Sequence, residues 1–174
     1  MNVLAILNKG FEELEATGTL VVLKRAGYNV DVVADYRDIN GKHLLNYNNI
    51  RTFNEINPNN YDLLFIPGGG YKPTENTYNM IKYFYDNNKY IAAICSGPTY
   101  LGELGILKNR KYVCFPALNK DFRGTFVNDY VVYDNRIFTA RSVASSILLP
   151  LKIVEVINGE EKLKELKKQM EYLD

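Results

Sequence analysis

The chain has 174 residues, 47% hydrophobic and 24% charged, proportions that suit one globular domain with a full core. Its 21 Lys and Arg nearly cancel 20 Asp and Glu, so nothing marks a nucleic-acid or anionic membrane surface as a partner. A single histidine, His43, and two cysteines, Cys95 and Cys114, exclude multi-histidine metal centres, two-imidazole mechanisms and a disulfide scaffold.

Short apolar β-branched runs alternate with helical patterns, the signature of βαβ units and a parallel sheet. Val3–Leu7 reads as a buried strand; the start of the chain lacks the basic flank and apolar length of a signal peptide. No apolar run reaches the ~18 residues that span a bilayer. With two thiols and no scaffold pattern, a reducing, cytoplasmic setting is expected. A helix follows over about Glu12–Ala26, with acidic residues in its first turn, Lys24 and Arg25 in its last, and Gly27 just beyond. Glu12 and Glu13 are expected to be solvated and to complement the helix dipole.

Further strands are read at Val30–Ala34, Leu63–Pro67, Tyr90–Cys95 and Lys111–Phe115. Asn40–Phe53 is a hairpin-like excursion carrying His43, for which an exposed or capping role is expected. Helices are expected around Thr77–Asn88 and from Pro98 to Gly105. Val127–Ala140 holds two strand-like runs joined by a turn at Tyr133–Arg136. A long apolar helix is read from Ser142 to about Asn158, then a charged one over Glu160–Met170. No repeat or linker interrupts residues 1–174, which read as one domain.

The candidate site begins at Tyr90-Ile91-Ala92-Ala93-Ile94-Cys95-Ser96-Gly97-Pro98. A buried strand stops at a cysteine and becomes a helix within two residues; Gly97 and Pro98 permit the sharp turn. Such an elbow puts its apex at the C-terminal edge of the sheet, where open α/β sheets bind ligands. The free N–H groups of the next helix favour a thiolate and suit an oxyanion. The alternative is a small buried hydrophobe, the common fate of free cysteine and the expected one for Cys114.

Phe65-Ile66-Pro67-Gly68-Gly69-Gly70 is a second strand leaving that edge, and its glycine amides can form an anion nest or merely a tight turn. Its spacing matches no nucleotide-binding loop, and no cofactor or metal is expected. Glu15 shares a helix face with Gly18, Thr19 and Val22, small neighbours that let the helix approach the sheet edge. Arg141, where a late strand becomes a helix, suits either a substrate carboxylate or phosphate, or a surface ion pair.

Taken together these segments resemble the ThiJ/PfpI superfamily, closest to its branch of Parkinson disease protein 7-like protein deglycases. Gly10-Phe11-Glu12-Glu13-Leu14-Glu15, Lys24-Arg25-Ala26-Gly27, Tyr61-Asp62 through Pro67-Gly68-Gly69, Ala92-Ala93-Ile94-Cys95-Ser96-Gly97-Pro98, Thr139-Ala140-Arg141 and Ile153-Val154-Glu155 through Asn158-Gly159 are similar to its motifs, in order. The resemblance implies a flavodoxin-like three-layer sandwich, a mostly parallel sheet with helices on both faces, akin to class I glutamine amidotransferases. It implies a homodimer and an oxidisable nucleophile, Cys95, with Glu15 as its protonated carboxyl partner. It implies an oxyanion pocket at Gly68, Gly69 and Ser96.

The activity it implies is a glyoxalase or deglycase acting on methylglyoxal, another small carbonyl compound, or a glycated protein. The alternative is an oxidative-stress sensor or holdase chaperone that uses oxidation of Cys95 to a sulfinate. A scaffold role with an inert thiol is the third possibility. Departures bear on the pocket wall: Phe115 stands before Pro116 where the family often has histidine, and Ser142-Val143 follow Arg141 in place of Gly-Pro. Ser96, rather than histidine, follows the cysteine and no histidine follows His43, so protease and amidotransferase chemistry are disfavoured.

Overall fold

Apolar runs become strands here because both faces of the sheet are covered. The computed structural model describes residues 1–70 and 72–173. In chain order these form β1 (Asn2–Ile6), α1 (Glu13–Arg25), β2 (Asn29–Ala34), β3 (Ile39–Asn40), β4 (Asn46–Tyr47), β5 (Arg51–Thr52), β6 (Leu63–Ile66), α2 (Glu75–Asp86) and β7 (Tyr90–Ile94). There follow α3 (Gly97–Glu103), β8 (Lys111–Tyr112), β9 (Thr125–Phe126), β10 (Val131–Asp134), β11 (Ile137–Ala140), α4 (Leu148–Asn158) and α5 (Glu160–Gln169).

The main sheet has seven strands in the order β10-β11-β7-β6-β1-β2-β5. Its neighbours run parallel except for β10 against β11. Side-chain alternation divides the core in two. Leu4, Ile6, Leu64, Ile66, Ile91 and Ala93 pack with Ile81 and Phe84 of α2 and Leu101 of α3 on one face. Val3, Ala5, Leu63, Phe65, Ala92 and Ile94 pack with Leu20 and Leu23 of α1, Leu149 and Ile153 of α4, and Leu166 of α5 on the other. The three-layer, flavodoxin-like α/β sandwich expected from the sequence is the one observed. Among the described residues no helix is long and apolar enough to cross a membrane.

Four expectations need correction. Lys111–Phe115 is not a strand of the main sheet. Only Lys111 and Tyr112 are extended, paired with β9 in a separate ribbon, while β11 takes the place beside β7. The helix expected from Ser142 starts at Leu148, after a 3₁₀ turn at Val143–Ser145. Pro150 explains this: lacking an N–H, it is tolerated in a first helical turn and not in a third. The 40–53 excursion does contain an antiparallel pair, β3 with β4, but its last part, β5, joins the main sheet beside β2. Finally, Glu13 is buried rather than solvated.

Candidate active site

Strands β1, β6 and β7 lie side by side, and each leaves the same C-terminal edge with one part of the site. From β1 the chain runs to one side of the sheet and from β6 to the other, which makes this edge the switch point where ligands bind in such sheets.

Cys95 directly follows β7 with φ of 64°, a left-handed conformation that side chains other than glycine rarely adopt. The strained turn is held from outside. The Cys95 N–H donates to the Ala140 carbonyl at 2.9 Å, and the Cys95 carbonyl accepts the Phe115 N–H at 2.9 Å. A Cβ on Gly97 would lie 2.7 Å from the Ile66 carbonyl oxygen, so glycine is what lets the elbow pass β6.

The loop after β6 is laced to the start of α1: the Glu12 N–H donates to the Gly68 carbonyl at 2.9 Å, and the Gly70 N–H to the Gly10 carbonyl at 3.1 Å. This draws Glu15, 1% exposed, under the loop, where its Oε2 accepts the Gly68 N–H at 2.8 Å. The Glu15 carboxyl faces the Cys95 thiol closely enough for each to shift the other's proton affinity. A Cβ on Gly68 would fall 2.6 Å from Glu15 Oε2, 2.7 Å from Cys95 Cβ and 3.1 Å from Cys95 Sγ. The two side chains therefore meet across the one residue type that leaves room for them.

Burial pushes the Glu15 carboxyl up to about 7, against the opposing pull of the Cys95 hydrogen bond and the Gly68 N–H. The Cys95 thiol is pushed up to about 12, by burial first, then by the Glu15 carboxylate beside it; the Ser96 N–H pulls the other way. Burial thus opposes the thiolate that the helix amides are expected to favour, and the two adjacent groups are placed to share a proton.

The oxyanion candidates are adjacent but occupied. The Gly69 N–H donates to Ser96 Oγ at 3.1 Å, the Gly68 N–H is used by Glu15, and the Ser96 N–H faces the sulfur. Ser96 Oγ also lies 3.4 Å from the Tyr100 hydroxyl. Sequence reasoning missed Tyr100, although its i+4 spacing from Ser96 on α3 places it on the same helix face. A cavity of about 340 Å³ opens beside these residues, with Lys72, Tyr78, Glu103 and Lys120 on its walls.

Other expected residues lie further out. The Phe115 side chain is 42% exposed and flanks the elbow through its backbone bond to Cys95. Arg141 is turned away: its guanidinium donates to Asn128 Oδ1 at 2.6 Å and lines a cleft with Asn128, Asp129 and Tyr130. Cys114 is fully buried, and burial pushes its thiol up to about 11. His43 is exposed, with Nε2 3.4 Å from Glu12 Oε2.

Residues 1–156 match the model of the DJ-1/PfpI family. A Thermococcus kodakarensis protein named a deglycase is 31% identical over 149 residues, 81% of this chain and 90% of that protein. The Arabidopsis thaliana protein DJ-1 homolog B is 32% identical over 175 residues; the match covers 95% of this chain but 40% of that longer protein. Among solved structures, oxidized Toxoplasma gondii DJ-1 superposes with a TM-score of 0.85 at 28% identity, over 99% of both chains. Drosophila melanogaster DJ-1beta shares the fold, with a TM-score of 0.88 at 24% identity, over 99% of this chain and 98% of the other.

Proposed function

The chain belongs to the DJ-1/PfpI family, and from that premise we propose that it is a cysteine-dependent enzyme of the glyoxalase or deglycase type, acting on methylglyoxal or early glycation adducts. The observation that carries this reading is the Glu15 carboxyl, pinned by the Gly68 N–H against the Cys95 sulfur. Relatives named deglycases, at 30–32% identity, support it.

With methylglyoxal the Cys95 sulfur adds to the aldehyde carbon as its proton passes to Glu15. The carbonyl oxygen becomes the hydroxyl of a hemithioacetal by taking that proton. Glu15, now a carboxylate, removes the hydrogen from the former aldehyde carbon and returns the proton to the neighbouring carbon, while the hemithioacetal hydroxyl gives its proton to that carbon's oxygen. The first carbon is thereby oxidised to a thioester and the second reduced to an alcohol, with no external electron carrier. Water cleaves the thioester to lactate and restores the thiol. The Ser96 N–H serves the developing oxyanion, and the Gly69 N–H joins it when a substrate oxygen replaces Ser96 Oγ. A carboxyl near 7 is matched to both directions of proton transfer at neutral pH.

Lactate formation from methylglyoxal without glutathione is expected for the native chain and is expected to disappear in Cys95→Ala. Activity that persists in that variant would sink the proposal. Glu15→Gln should lower the rate at least 10²-fold, the usual contribution of a positioned acid–base group.

Oxidation sensing, with holdase activity as its output, is the second reading. It is supported by the contrast between half-buried Cys95 and sealed Cys114, and by the oxidized state of the Toxoplasma relative. Mild peroxide should add about 32 mass units, the two oxygens of a sulfinate, to Cys95 and leave Cys114 unchanged. A homodimer and a cytoplasmic setting belong to the same proposal. Leu14 and Val21 on α1 are exposed apolar side chains that a second copy would cover, and both thiols are unpaired.

A further inference from the structure

The first turn of α1 carries a second group of side chains, which the proposed chemistry does not use. One oxygen each from Glu12 and Glu13 and one ring nitrogen of His43 lie within 4.8 Å of one another. Donors bound at ~2.1 Å around a tetrahedral ion are about 3.4 Å apart, so small side-chain rotations bring all three into contact with one ion. The His43 Nε2 to Glu12 Oε2 distance is already 3.4 Å.

Glu13 supplies the independent observation. It is 6% exposed. Its Oε1 accepts the N–H groups of His43 at 2.6 Å, Leu44 at 2.7 Å and Leu45 at 3.3 Å, while its buried Oε2 has no hydrogen-bond partner among the described residues. A buried, unpartnered carboxylate oxygen is costly unless something meets it. Lys42 pairs with Glu12 instead: its Nζ lies 3.9 Å from Glu12 Oε2 and its side chain is half exposed. The three amides act as an outer shell that fixes the carboxylate and leaves one oxygen to bind, an arrangement typical of metal-ligating carboxylates.

We propose that Glu12, Glu13 and His43 form a binding site for one divalent transition-metal ion of the Zn²⁺ class. The imidazole disfavours Mg²⁺ and Ca²⁺, and the two carboxylates balance the charge. Water fills the remaining positions, as in sites with three protein ligands. The ion ties the 42–45 turn to the start of α1, and it needs no second histidine.

The test is a calorimetric Zn²⁺ titration of the tag-free chain, carried out in Cys95→Ser so that the reactive sulfur cannot take the metal. One ion per chain is expected, with affinity at least tenfold lower when His43→Ala or Glu12→Gln is added. His43 is exposed and Glu12 only partly buried, and both added changes leave the Glu13 cap intact, whereas Glu13→Gln would also loosen the turn. Absence of stoichiometric binding, or unchanged affinity in either added variant, overturns the site. Neither result bears on turnover at Cys95, which is read separately as lactate from the native chain.

Discussion

Gly68 is the residue on which the proposed acid and the proposed nucleophile both depend, because its missing side chain is the space where they meet. Gly68→Ala would bring a methyl group within 2.6 Å of Glu15 Oε2 and 2.7 Å of Cys95 Cβ, so one of them must move. Displacement by about 1 Å at a reacting group can cost 10²-fold in rate. Gly68→Ala should therefore lose about 10²-fold in kcat/KM while keeping native circular dichroism; wild-type turnover would show that the pair is not the reacting unit. The charge state of the same pair is read through alkylation. Below about 7 both groups are protonated and Cys95 should react slowly with iodoacetamide. As Glu15 loses its proton the carboxylate can accept the thiol proton, so the rate should rise through about 7 and again towards 12. Glu15→Gln removes the acceptor and the charge that raises the thiol. The step near 7 should vanish and a single step should appear below 12; a retained step near 7 would assign it to another group.

At the scale of elements, the sequence announces burial more clearly than pairing. Tyr112, Val113 and Cys114 are buried, which is why Lys111–Phe115 reads as a strand. Their backbone is nevertheless met piecemeal: Val113 by the Thr139 hydroxyl, Phe115 by Cys95 and Tyr112 by Val127. β11 was visible as a strand, but its parallel partner β7 lies about forty residues earlier in the chain, and no local pattern encodes that distance. The elbow was legible because Cys-Ser-Gly-Pro combines a strand's end with a helix's start. The Glu15–Cys95 pairing was implied only by the family resemblance and not by the residues themselves, because it depends on the loop after β6 being laced to the loop after β1. Glu13 was misread for a similar reason: an acidic first turn looks solvated until the 42–45 turn folds over it. Glu13→Gln should weaken the acceptor for three amides at once. Hydrogen exchange at His43, Leu44 and Leu45 should quicken while the β1 and β6 amides stay protected. Unchanged exchange at the turn would mean that β3 and β4 hold it without the carboxylate.

For the whole molecule, a sheet switch point concentrates function at one edge, and burial there sets function against stability. Glu15 titrates near 7 when folded and at its ordinary 4.5 when unfolded, so the folded chain holds the extra proton between those values. Its favourable contribution is complete below 4.5 and is lost as pH rises to about 7. Above 7 the buried charge costs about 3 kcal/mol, the equivalent of that separation in pKa. Glu13 runs in the opposite direction: its amide-held carboxylate favours folding above 4.5 and loses that effect as pH falls towards 2. Glu15→Gln removes the first effect and leaves the second. The urea midpoints of the native and Glu15→Gln chains should therefore lie close together at pH 4. They should separate between pH 5 and 8, with the variant the more stable and the less active, as expected where an active-site group is kept at a cost to the fold. A constant difference across that range would show that Glu15 keeps its charge in the folded chain, and the proton exchange with Cys95 would lose its basis.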